Sequence, residues 1–120
     1  MFYLSSVYSV HAHSKSEEHI KLRQKRYEYS VKRLAEFMNE GVMVFSPIAH
    51  CHEASVNYDL PKHFEFWKKY DEHMIDLSEG VFVLMMPHYK ESTGVSYEVQ
   101  YAESLGKPVV YLDCSDYKED

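Results

Sequence analysis

Glu98 stands three residues after Val95 and four before Ala102. That spacing puts a carboxylate on the apolar stripe of a helix rather than on its wet face. Just ahead of it lies the small polar run Ser92-Thr93-Gly94. Asp71 repeats the pattern on another segment, four residues after Trp67 and three before Met74. Tyr3 adds a phenol inside the first apolar run of the chain. Acids are seldom turned inward unless they are paired or used. Two inward carboxylates directed at one sheet edge therefore suit nucleophilic or acid–base work. Each residue taken singly has a structural reading of equal weight: Asp71 as a loop cap, Glu98 as the partner of Lys107 or Arg23, and Tyr3 as core.

Other residues offer weaker signals. Backbone N–H groups and hydroxyls around Ser92-Thr93-Gly94 and Ser96 suit an anion, while an N-cap at Ser92 or Thr93 explains the same residues. The stretch lacks the lysine of a P-loop and the glycine spacing of a dinucleotide fingerprint. His50 and His52 flank Cys51, and His11 and His13 form a similar pair. Zinc needs three or four ligands in suitable geometry, which alternate histidines do not specify. No metal is expected, and His50 and His52 read as the lining of a substrate pocket. Phe64, Trp67 and Tyr70 read as core.

The elements that must position these groups follow from the apolar runs. Phe2 to Val7 reads as a first strand, leading into a polar loop to Ser16. A helix starts at Ser14 or Ser16, with Glu17 and Glu18 favourable in its first turn. It keeps one apolar face as far as Asn39 and is stopped by Gly41. Val42 to Phe45 is a second strand, ended by Ser46-Pro47. From Ile48 to Lys62 no period is evident, and a loop with short helical turns is predicted. A helix follows from about His63 to Ser78, then a strand over Val81–Met86, the helix bearing Glu98 as far as Gly106, and a strand over Pro108–Leu112. Asp113 to Asp120 reads as a polar tail with no core pattern.

Unbroken apolar strands alternating with helices imply a parallel sheet covered on both faces. Right-handed crossovers make 2-1-3-4 the simplest strand order. Ligands of such sheets bind beyond the strand C-termini at the point where the order reverses. Here that point lies between strands one and three, at the loops Ser5–Ser16 and Pro87–Tyr97.

A chain of 120 residues reads as one domain. The net charge is −6, and no basic block stands clear of acids, which disfavours nucleic-acid partners. Cys51 and Cys114 are far apart and outside any CxxC pattern, so reduced thiols and a cytoplasmic location are expected. No signal peptide or membrane-length apolar run is evident. Eleven tyrosines suggest a pocket wall or a subunit interface.

Several pieces together resemble a known superfamily. They are Phe2-Tyr3-Leu4-Ser5-Ser6-Val7-Tyr8-Ser9, the run Gly41 to His52 with its Ser46-Pro47-Ile48-Ala49-His50-Cys51-His52 segment, Phe66-Trp67 to Asp71, and Ser92 to Glu98 continuing to Gly106-Lys107-Pro108. Their order and spacing are similar to those of the nucleoside 2-deoxyribosyltransferase-like superfamily, in an uncharacterised bacterial and phage branch. The resemblance covers nearly the whole chain up to about Leu112. It implies an α/β flavodoxin-like Rossmannoid fold with a four- to five-stranded parallel sheet, and cleavage of an N-glycosidic bond.

In that resemblance Glu98 matches the nucleophile, Tyr3 the residue that orients it or the sugar, and Asp71 the acid that contacts sugar hydroxyls or handles the proton on the departing base. A serine at position 92 is similar to the nucleoside 5′-monophosphate N-glycosidases, where transferases acting on free nucleosides carry aspartate. Phosphate would be held by Ser92, Gly94 and helix N–H groups, with Ser6 or Tyr8. Ser5, Ser46, His50 and His52 complete the expected substrate-binding set. The glycine-rich, arginine-bearing first loop of the monophosphate hydrolases is replaced by Ser6-Val7-Tyr8-Ser9, and the C-terminal segment that relatives insert into a neighbouring subunit is missing. The expected activity is hydrolysis of a nucleoside monophosphate without cofactor, in a homodimer or larger homo-oligomer. Alternatives are a deoxyribosyltransferase and a nucleotide-binding module without turnover.

Overall fold

The computed structural model describes residues 1–9, 16–61 and 63–119; His11 and His13 lie outside them. Its elements are β1 (Phe2–Ser5), α1 (Glu17–Asn39), β2 (Val44–Phe45), α2 (Pro47–Asn57), α3 (Phe64–Asp76), β3 (Gly80–Leu84), α4 (Thr93–Ser104) and β4 (Val109–Leu112), with a short 3-10 turn at Tyr89–Glu91 before α4. The four strands are all parallel, in the order β2-β1-β3-β4. The predicted strand order and the flavodoxin-like α/β class both hold.

Alternation along β1 divides the interior into two layers. Tyr3 joins Val81, Val83, Ile75, Val95 and Ala102 on the side covered by α3 and α4. Leu4 joins Leu84, Met86, Tyr29, Cys114 and Tyr117 on the side covered by α1. At the N-terminal edge Gly80 lets three elements meet. A Cβ built there would lie 2.6 Å from the Pro108 carbonyl oxygen and 2.7 Å from the Phe2 ring. The α1 helix begins as expected, with Ser16 Oγ accepting from the His19 N–H. It closes at Gly41, whose φ of +75° suits a residue without a side chain.

Three expectations need correction. The stretch after Ser46 is not a loop but the three-turn helix α2. Ser46 Oγ accepts from the Ala49 N–H at 3.1 Å, and Pro47 occupies the first turn, where its missing N–H costs nothing. Its buried positions are Pro47, His52 and Ser55, so the helix has no apolar stripe to reveal its period. The segment after β4 is not a detached tail, since Cys114 and Tyr117 are buried. There the Tyr117 ring tilts against Tyr29 at 4.6 Å, and Tyr29 Oη donates to Asp116 at 2.6 Å. Finally, the aromatic face of α3 is not all core, because Phe64, Phe66 and Tyr70 are 37%, 41% and 39% exposed. The helix seats itself through Met74 and Ile75 instead. Among the described residues no helix is long and apolar enough to cross a membrane.

Candidate active site

Period two along β1 sends Tyr3 and Ser5 to the same face as α4. Both side chains end on Glu98. Tyr3 Oη donates to Glu98 Oε2 at 2.5 Å and Ser5 Oγ donates to Oε1 at 2.6 Å. The carboxyl therefore has a hydroxyl on each oxygen, and Glu98 is only 6% exposed. Asp71, half-buried on α3, lies close enough to Glu98 and Tyr3 for its charge to act on both. Four residues from β1, α3 and α4 thus converge at the C-terminal half of β1. Among the described residues neither carboxyl forms an ion pair with a lysine or arginine. Lys107, a structural alternative for Glu98, instead donates to the carbonyls of Ile75 and Asp76, 2.8 Å each.

The electrostatics follow from that isolation. Burial drives the Glu98 pKa well above the ordinary carboxylate value, and the charge of Asp71 adds to it; the Ser5 and Tyr3 donors oppose the rise. Burial also pushes Asp71 up to about 6, against the lowering influence of the Glu98 and Tyr3 side chains nearby. The Tyr3 phenol is raised by burial and by the two carboxylates, so it stays a donor. Burial thus raises both carboxyls, and because each acts on the other their titration belongs to the pair rather than to either residue. Cys51 lies close enough to feel Asp71, and burial with that charge pushes its thiol up to about 11.

The remaining predicted residues fall into two groups. Ser92 and Gly94 sit on the N-terminal turn of α4, ahead of Glu98. Ser92 Oγ caps the helix by accepting from the Val95 N–H at 3.2 Å, and apart from that oxygen, 3.9 Å away, nothing would meet a Cβ at Gly94. His50 is exposed on a flank, its ring 5.3 Å from Phe45 and 6.0 Å from Tyr70. Ser6, Tyr8, Ser46 and His52 are held in bonds of their own. Ser6 Oγ lies 3.1 Å from Ser30 Oγ, and Ser46 is the cap of α2. Tyr8 Oη is 2.6 Å from His52 Nδ1, and His52 Nε2 is 2.9 Å from Gln24 Oε1. The Tyr27 ring stacks on His52 at 4.1 Å. The grouping of Ser5 with the carboxyls was legible only through its two-residue spacing from Tyr3.

Two tyrosine–carboxylate bonds flank the pair along the seam between α3 and α4. Tyr97 Oη donates to Glu72, and Tyr101 Oη donates to Asp76 at 2.6 Å.

No curated protein matches this chain. The model of a family described as a domain of unknown function (DUF1937) matches residues 1–114, a span that takes in every strand and helix and all four residues of the carboxyl cluster. The chain belongs to the DUF1937 family.

Proposed function

We propose that the protein is an N-glycosidase that hydrolyses a (deoxy)ribonucleoside 5′-monophosphate to free base and sugar 5-phosphate. One observation carries this reading: two carboxyls come together at one site, and the buried one receives a hydroxyl on each oxygen. Tyr3 and Ser5 favour the ionised form of Glu98 against its burial, and passage of its proton to Asp71 gives the reactive form of the pair. A carboxylate nucleophile beside a carboxylic acid is what retaining glycosyl chemistry requires.

In the first step a Glu98 oxygen forms a bond to the anomeric carbon as the C–N bond breaks. The bonding pair leaves with the base, which takes the proton from Asp71. In the second step water attacks the same carbon and releases Glu98, while the Asp71 carboxylate takes the water proton. Phosphate selection falls to the N-terminal turn of α4, where the Ser92 hydroxyl and N–H groups around Gly94 suit an anion. His50, exposed beside Tyr70, would contact the base. The reading extends to a cytoplasmic homo-oligomer, with the exposed aromatic face of α3 as the surface for a second copy.

A chromatographic screen of nucleoside monophosphates for base release tests the proposal. Glu98→Gln should lower turnover by about 10⁴-fold or more while leaving the fold intact, and retained turnover in that variant would overturn the assignment of the nucleophile. Interception of the sugar by a second added base would mark a transferase. Thermal stabilisation by a nucleotide without any base released would mark a binding module.

A further inference from the structure

Arg26 is 2% exposed, yet it takes no part in the chemistry above. Its guanidinium forks onto Glu119, Nε to Oε2 at 2.7 Å and Nη2 to Oε1 at 3.1 Å. The remaining nitrogen, Nη1, donates to the carbonyl oxygen of Tyr8 at 3.2 Å. One buried cation thus joins the segment after β4 to the loop that leaves β1. The carboxylate side of the joint is itself held, because Tyr117 Oη donates to Glu119 at 2.8 Å and Tyr117 is buried against Tyr29. On the loop side, Tyr8 also bonds His52 through its hydroxyl, and Ser6 bonds Ser30. Ser5, one residue before this loop, is a donor to Glu98.

We propose that the segment Asp113–Glu119 is a positioning strap for the candidate active site, with the Arg26–Glu119 fork fixing the backbone of Ser6–Ser9, the stretch that directly follows Ser5. The functional part of this inference rests on the reading that this loop contacts substrate. Arg26 and Glu119 are positioning residues, acting through Tyr8. A bidentate guanidinium–carboxylate contact is suited to the role, because its planar fork fixes orientation as well as distance.

The test compares the wild-type chain with Glu119→Gln by hydrogen exchange and by turnover of a nucleoside monophosphate. Amides of Val7, Tyr8 and Ser9 should exchange about tenfold faster in the variant, the scale on which loss of a buried charge-assisted bond is felt, while amides of β3 stay unchanged. KM should rise by about tenfold with kcat nearly constant, because the carboxyl pair is untouched. Leaving Arg26 buried without its partner risks unfolding, so the double variant R26M/E119L serves as the second arm. It keeps the packing, removes both charges and should give the same loop-specific exchange. Unchanged loop exchange in the double variant, or equal acceleration in β3, would overturn the strap. Wild-type chain that releases no base refutes the glycosidase reading alone, since the exchange arm judges the strap by itself.

Discussion

Replacing Asp71 with asparagine should make the protein more stable at alkaline pH and less active at every pH. In the folded chain Asp71 titrates near 6, against an ordinary value of 3.8. Over that interval the native state holds a proton that the unfolded chain has released, so stability falls as pH rises. The contribution is complete below the unfolded value and is lost once pH passes the folded one. About two pKa units correspond to about 3 kcal/mol, and residual solvent contact at half-buried Asp71 brings the expectation to roughly 2–3 kcal/mol. Asparagine mimics the protonated acid in shape and carries no charge. Urea unfolding of Asp71→Asn and wild type should therefore nearly coincide at pH 4 and separate by that amount at pH 8, the variant being more stable. Loss of the charge also relieves Glu98, whose rise owes part to Asp71, and this acts in the same direction. With the acid gone, base release should drop by about 10²–10⁴-fold. Equal stability differences at both pH values would refute the reasoning, because the carboxyl would then not be titrating above its unfolded value.

Other consequences are as direct. Tyr3→Phe removes the hydroxyl on Glu98 Oε2, which should cost about 1–3 kcal/mol. The acidic limb of the pH–rate profile should move to higher pH, since the carboxylate loses a donor. Ser92→Asp keeps a good helix cap, so melting should change little. The added negative charge should raise KM for a nucleoside monophosphate while sparing the free nucleoside, read by paired kinetics. Gly80→Ala drives a methyl against the Pro108 carbonyl and the Phe2 ring, and denaturant melts should show a loss of about 1–3 kcal/mol.

The carboxyl pair was readable because helical spacing is a local signal. Val95, Glu98 and Ala102 all carry the stripe of α4, and Glu98 is the one polar member. Asp71 was found by the same rule, between Trp67 and Met74, even though Tyr70 and Leu77 on that face stay exposed. The α2 helix has no such signal because its buried residues include a histidine and a serine, which leave no hydrophobic period; only the Ser46-Pro47 start marks it. The strap was out of reach for another reason. Arg26 and Glu119 are 93 residues apart, and no local pattern couples such positions. Likewise Tyr8 and His52 each read as a possible substrate contact, but nothing in their sequence neighbourhoods couples one to the other, as the structure does.

The tyrosine–carboxylate bonds between α3 and α4 act as a ruler. Glu72 and Asp76 are four residues apart, as are Tyr97 and Tyr101, so the rungs match one helical turn on each helix. A slip of α3 along its neighbour by a single residue would break both rungs together. Asp71 adjoins Glu72 in sequence and Glu98 adjoins Tyr97. The gap between the two carboxyls, which under the proposed activity decides whether a glycosyl carbon meets a carboxylate or a water, is thereby tied to a registration mark set by two phenols outside the site.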